Sequence, residues 1–219
     1  MPLQKEEFDR FMSQARVKLT GASDAGIKLE LFDVLKEFFE DSNSWTEVID
    51  VPITLGVQDY KLVPRYGGRI IRLNAVWDYH KFPIVAFMPH FGTLHLRWPP
   101  SNPGTQNTPF TYHAGVVKNL TWQTDKDDVP IAPEWLLDVY GVTILDGLLG
   151  KMMTQENKSF TDQGQGKYHL QRFRTGIQQA KVAAQRQNTM GAQNWRFPSG
   201  WHCHTQRGGA VTAWPPETI

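Results

Sequence analysis

His202-Cys203-His204 offers imidazole and thiolate donors of the kind that bind zinc. In an extended chain, neighbouring side chains point in opposite directions, so His202 and His204 can share a ligand while Cys203 points away. The chain has a single Cys, so no second thiol is there to complete a structural site. The segment therefore reads as plain tail, and neither a metal nor another cofactor is expected. Asp125, Asp127 and Asp128 resemble a divalent-cation cluster but lack the spacing of a calcium loop, so they read as a solvated loop. His90, His95 and His113 fall on or near predicted strands. A catalytic histidine needs a nucleophile or carboxylate partner, and none stands out. Gly147-Leu148-Leu149-Gly150-Lys151 lacks the spacing of a phosphate-binding loop and its following Ser or Thr. No GxSxG, HExxH, GxGxxG or paired CxxC is present. With no catalytic residues to assign, the expectation is a part of an assembly rather than an enzyme.

The elements that would carry these residues fall into zones. Phe8, Phe11, Met12 and Ala15 recur at helical spacing. A break at Thr20-Gly21-Ala22 follows, and Ser23 or Asp24 can cap a second helix over about 25–41. Ile27, Leu31, Val34, Leu35 and Phe38 form its apolar face, and Leu29, Phe32 and Phe39 widen that face. From 44 the period changes. Short β-rich runs, among them 69–77, 82–87, 93–98 and 111–122, are separated by Gly, Pro and Asn turns and predict an antiparallel sheet or small barrel. Pro130 and Pro133 then frame a helix over 135–155 whose three glycines cost about 1 kcal/mol each relative to Ala, a cost that close approach of another backbone would offset. A last helix is predicted over 166–189, with a narrow seam of Leu170, Phe173, Ile177, Ala180 and Ala184. The expected class is α+β: a helical bundle of the N- and C-terminal helices (1–43 plus 130–190), an inserted antiparallel β domain (44–129) and an extended C-terminal tail (191–219).

The 219 residues are enough to bury a real core, and the net charge of +1 argues against strong bulk attraction to nucleic acid or acidic membranes. No apolar run approaches the roughly 20 residues of a membrane span, and no signal peptide is expected. A soluble protein of a reducing cytosol is the expectation. The near-zero total hides opposed regions. Residues 1–43 hold six basic and nine acidic side chains; residues 151–190 hold seven and two. Eight Trp, twelve Phe and six Tyr are many rings for a hydrophobic share of 40%. They suit core rings between helices and sheet, and covered surfaces, because aromatics are enriched at interface cores. Trp195, Trp201 and Trp214 fall in the non-periodic tail, which suits docking on a partner.

Gly21-Ala22-Ser23-Asp24-Ala25-Gly26-Ile27-Lys28-Leu29-Glu30-Leu31-Phe32, followed by Phe38-Phe39-Glu40-Asp41-Ser42-Asn43-Ser44-Trp45, resembles the head-to-tail adaptor (connector) proteins of tailed bacteriophages. Pro133-Glu134-Trp135-Leu136 with Asp146 to Met153 looks like their second block, and Tyr168 to Arg174 with Trp195-Arg196-Phe197-Pro198 like a third. The resemblance implies a homo-oligomeric ring of twelve copies beneath the portal protein in the virion, assembled in the host cytoplasm. Such a ring extends the DNA channel, passes genomic DNA without specific binding, and gives a tail nozzle or tube protein its platform; no membrane takes part. It also implies portal docking by the tail, carried here by Trp195, Arg196, Phe197, Trp201 and Trp214. Neighbouring copies would meet through a basic face of Lys167, Arg172, Arg174, Lys181 and Arg186 and an acidic face of Glu30, Asp33, Glu37 and Glu40. The alternatives are another ring component of the tail (terminator or nozzle part), a nucleic-acid-binding protein using the basic 166–189 helix, and an enzyme whose site is assembled from scattered His and Asp residues.

Overall fold

Ser23 begins the clearest element of the chain. Its hydroxyl accepts from the Gly26 amide at 3.2 Å, satisfying one of the orphan donors of the helix start. The helix that follows, α2 (Asp24–Ser42), ends at Asn43, whose φ of 52° gives the left-handed turn that stops a helix. α1 (Lys5–Lys18) precedes it, and Arg16 binds Asp24 at the junction through two bonds of 2.7 and 2.8 Å. The computed structural model describes residues 3–65, 67–98, 111–121 and 129–188.

Six strands follow α2 among the described residues: β1 (Thr46–Pro52), β2 (Asp59–Lys61), β3 (Arg69–Trp77), β4 (Ala86–His90), β5 (Thr93–Leu96) and β6 (Thr111–Asn119). They form two antiparallel three-stranded sheets, ordered β1-β6-β3 and β2-β5-β4. The fold class is thus mixed α and β, with four helices and two small antiparallel sheets among the described residues. The inner faces of the sheets share one core that includes Ile49, Val51, Tyr60, Leu94, Leu96 and Val116. The predicted run 82–87 is not one strand: Pro83 bridges Trp77 at the end of β3, and only Ala86 and Phe87 belong to the next strand. Asp78 accepts from the Phe82 amide through its side chain at 2.8 Å, and Lys81 takes a left-handed φ of 64°, so a tight turn just before the run folds 82–84 back on the end of β3, and β4 begins at Ala86.

Two helices close the described chain, α3 (Trp135–Met153) and α4 (Gln163–Asn188). α4 starts three residues earlier than its periodicity predicts, because Asp162 accepts from the Gln165 amide at 3.0 Å and caps it. Phe8, Phe11, Ile27, Phe38, Phe39, Leu148 and Phe173 are among the rings and branched chains of a second core, drawn from all four helices with Trp45 and Leu120. The predicted seam of α4 is buried from Phe173 through Ala184, and Leu170 is half-buried. Both cores belong to one unit, 1–184; the second unit, 185–219, is described only over the last turn of α4.

The glycines of α3 have separate reasons. A Cβ on Gly150 would lie 2.8 Å from the Leu170 backbone nitrogen, so here the backbone of α4 does approach closely. A Cβ on Gly147 would strike the Phe173 ring and a Val34 methyl, each at 2.8 Å. Gly141 meets nothing within 4 Å, so the expectation of a close backbone fails there within the chain. The aromatic residues also divide. Trp45 is buried and the Trp77 ring covers Gly115, whereas Trp98 is 62% exposed and Trp135 stands at the surface, so these two are not core rings.

Candidate functional site

α2 positions the predicted acidic residues through its own periodicity. Glu30, Asp33, Glu37 and Glu40 follow one another by three, four and three residues, which places them in one stripe away from the apolar face. Asp33 and Glu40 are exposed. The other two turn toward the end of α3 of the same chain: Glu37 pairs with Lys151 at 2.7 Å, and Glu30 accepts from Gln155 at 3.3 Å. Half of the acidic face is therefore engaged internally rather than left wholly open.

Burial raises the Glu30 carboxyl above its ordinary value; Lys151 opposes the rise and Asp33 adds to it. A carboxyl raised by folding favours the neutral form in the native state. Its stabilising contribution is present below the ordinary carboxylate range and lost as pH rises through the raised value. Glu30→Gln should accordingly gain stability over the wild type at about pH 7 and match it near pH 4, as read by thermal melting across pH.

α4 positions the basic residues, and they do not form the single face predicted. At 100° per residue, Lys167, Arg174 and Lys181 lie on one flank of the buried seam, while Arg172 lies on the other, with Arg186 two heptads further on. Charge counting cannot see this division. Arg172 is also engaged internally: its Nε binds Asp146 at 3.1 Å and its Nη1 approaches the Tyr168 hydroxyl at 3.4 Å. The Tyr168 hydrogen bond, followed by the Asp146 charge, holds the Arg172 guanidinium above its ordinary value. The Asp146 side chain is only 9% exposed and also binds His169 Nδ1 at 2.8 Å. Asp146, Tyr168 and Arg172 line an open cleft of about 510 Å³ between α3 and α4, together with Val142, Thr143 and Gly176.

The histidines do have carboxylate partners, which the sequence reading missed. His95 Nδ1 lies 2.7 Å from Asp59, and His113 Nδ1 lies 2.8 Å from Asp50. Each pair sits directly across two neighbouring antiparallel strands, so register was the signal that could have found it. Aromatic rings lie beside both imidazoles, with ring centres 4.7 Å apart for Phe87 and His95 and 6.0 Å apart for Trp77 and His113. His90 is exposed. A second missed feature is Lys118, 1% exposed on β6, whose ammonium binds Glu47 at 2.6 Å, lies over the Trp45 ring 4.3 Å from its centre and donates to the Gly67 carbonyl at 3.3 Å. Its signal was a charge at an inward position of the alternation Tyr112, Ala114, Val116.

The predicted docking residues Trp195, Arg196, Phe197, Trp201 and Trp214 lie outside the described residues, as do His202-Cys203-His204 and Asp125, Asp127 and Asp128. Among the described residues no group of three or more His, Cys, Asp or Glu side chains is placed to hold a metal ion, and no helix is long and apolar enough to cross a membrane. No protein-family model and no curated protein matches the chain.

Proposed function

We propose that this chain is a structural virion protein, a head-to-tail adaptor that forms a ring below the portal, extends the DNA channel and gives the tail its platform. The observation that carries this reading is how the residues of the resemblance meet. Gly147 of the second block packs against Phe173 of the third and against Val34, between the two parts of the first. Asp146 of the second block binds His169 and Arg172 of the third. The first block thus packs closely on the second across more than a hundred residues, and the second holds the third through the side chains around Asp146, which are contacts of a scaffold. The element order among the described residues supports the same reading: two helices, six strands, two helices, with separate helical and β cores as expected of a bundle carrying a β insert.

In such a ring, one face of each copy meets a different face of the next, and the tail beyond residue 190 reaches the portal with its aromatic residues as anchors. Mechanism is then mechanical: the ring holds a channel open for a sliding polyanion and transmits attachment from portal to tail. Deleting residues 193–219 is expected to leave the melting of the remaining chain unchanged and to abolish docking on purified portal rings, read by co-sedimentation. Unchanged docking would sink the tail assignment. Imaging of assembled particles that counted a single copy at the junction would sink the ring.

A further inference from the structure

α4 holds no carboxylate from Gln163 to Asn188. Lys167, Arg174 and Lys181 repeat at seven residues along one of its flanks, about 10 Å from one to the next. Lys167 and Arg174 are exposed and Lys181 is half-buried, and none of the three forms an ion pair with a described residue. At that spacing salt screens the cations from one another, so each is open to a partner of opposite sign. The same chain supplies a match. On α2, Glu30 and Glu37 are seven residues apart, and so are Asp33 and Glu40, all on one stripe. Within the chain that stripe reaches Lys151 and Gln155 of the α3 end, with no ion pair to the cation row of α4.

We infer that the Lys167–Arg174–Lys181 row seats the acidic α2 stripe of a second copy of this chain. The inference deepens the ring reading and rests on it. Two helices with charges of opposite sign at one period can lie side by side with several pairs in register, as flanking charges do in coiled coils. Exposed pairs contribute little singly, but a row of them selects the partner and fixes its register. Because donor row and acceptor stripe sit on different helices, the contact is heterologous: each copy offers α4 to one neighbour and α2 to the other. Nucleic acid would be drawn to the same cations. The matched acidic period favours a protein partner, and so does the lack of stacking rings on this flank, where Gln171 and Gln178 interleave with the charges and Tyr168 lies on the other side with Arg172.

The test uses two variants of the full chain. One carries Lys167→Glu, Arg174→Glu and Lys181→Glu; the other carries Asp33→Lys and Glu40→Lys. These positions lie outside both cores, and melting curves confirm that the variants fold. Sedimentation velocity should find each variant alone weakened in self-association by roughly ten-fold or more, with the wild-type association falling as salt rises. Association should return when the two variants are mixed, and again when all five changes are placed in one chain, since each then pairs opposite signs. Wild-type association in both single variants overturns the inference while leaving a ring built through other faces. A wild-type chain that stays monomeric up to about 1 mM overturns it as well. Loss of affinity for a DNA oligonucleotide in the α4 variant, with self-association intact, assigns the row to nucleic acid and overturns it too. Restored association by charge exchange, with particles that hold one copy at the junction, keeps the contact and removes the ring reading alone.

Discussion

Lys118→Ala is expected to destabilise the fold by about 3–5 kcal/mol, lowering the melting temperature by roughly 10 °C in a chain of this size. The Lys118 side chain is 1% exposed and that of Glu47 10%. The ammonium is the sole partner of Glu47 Oε2 among the described residues, while Oε1 accepts the Arg65 amide at 2.9 Å. Removing the lysine leaves a carboxylate in a site that water barely reaches and takes away what offsets its desolvation. It also empties the space against the Trp45 ring and frees the Gly67 carbonyl. The double variant Lys118→Met with Glu47→Gln should cost far less, because both charges leave together and a flexible apolar side chain refills the site. Denaturant titration of the three proteins decides it. A single-variant loss under about 1 kcal/mol would mean that the pair behaves as an exposed one and that burial is not what makes it matter.

The site of that pair shows where sequence patterning stops. Helices α1, α2 and α4 were legible because apolar residues recur at three and four in long runs, α3 because an almost wholly apolar run follows Pro130 and Pro133, and the α2 start was legible in Ser23. The span of β3 was legible from its alternation. What escaped was set by chemistry between distant segments. Asp162 moved the start of α4, Asp78 bent a run that reads as a strand, and the carboxylate partners of His95, His113 and His169 lie 36, 63 and 23 residues away. The charge asymmetry was legible as a sum, but its division into flanks needs the helical angle, and the engagement of Glu30, Glu37 and Arg172 needs their neighbours in space. A burial pattern can reveal Lys118 as an oddity; only the cross-strand neighbourhood explains it.

The glycines of α3 should separate by sign under one substitution. Gly141→Ala is expected to stabilise the chain by up to about 1 kcal/mol, since alanine restricts the unfolded chain and favours helix, and the new methyl enters space with nothing within 4 Å. Gly150→Ala makes the same local gain but sets its methyl 2.8 Å from the backbone nitrogen and Cγ of Leu170. A backbone cannot step aside as a side-chain tip can, so α4 must move away from α3, with a net loss of about 1–3 kcal/mol. Gly147→Ala forces the Phe173 ring and Val34 apart and should fall in the same range. Displacing α4 would also pull His169 and Arg172 from Asp146, a carboxylate that is 9% exposed. The Gly150 variant should therefore lose protection from hydrogen exchange along α4 before the β sheets do. Equal and small effects at all three positions would mean that α3 and α4 are not packed through glycine. A loss at Gly141 as large as at Gly150 would mean that its open side is filled in the protein as purified.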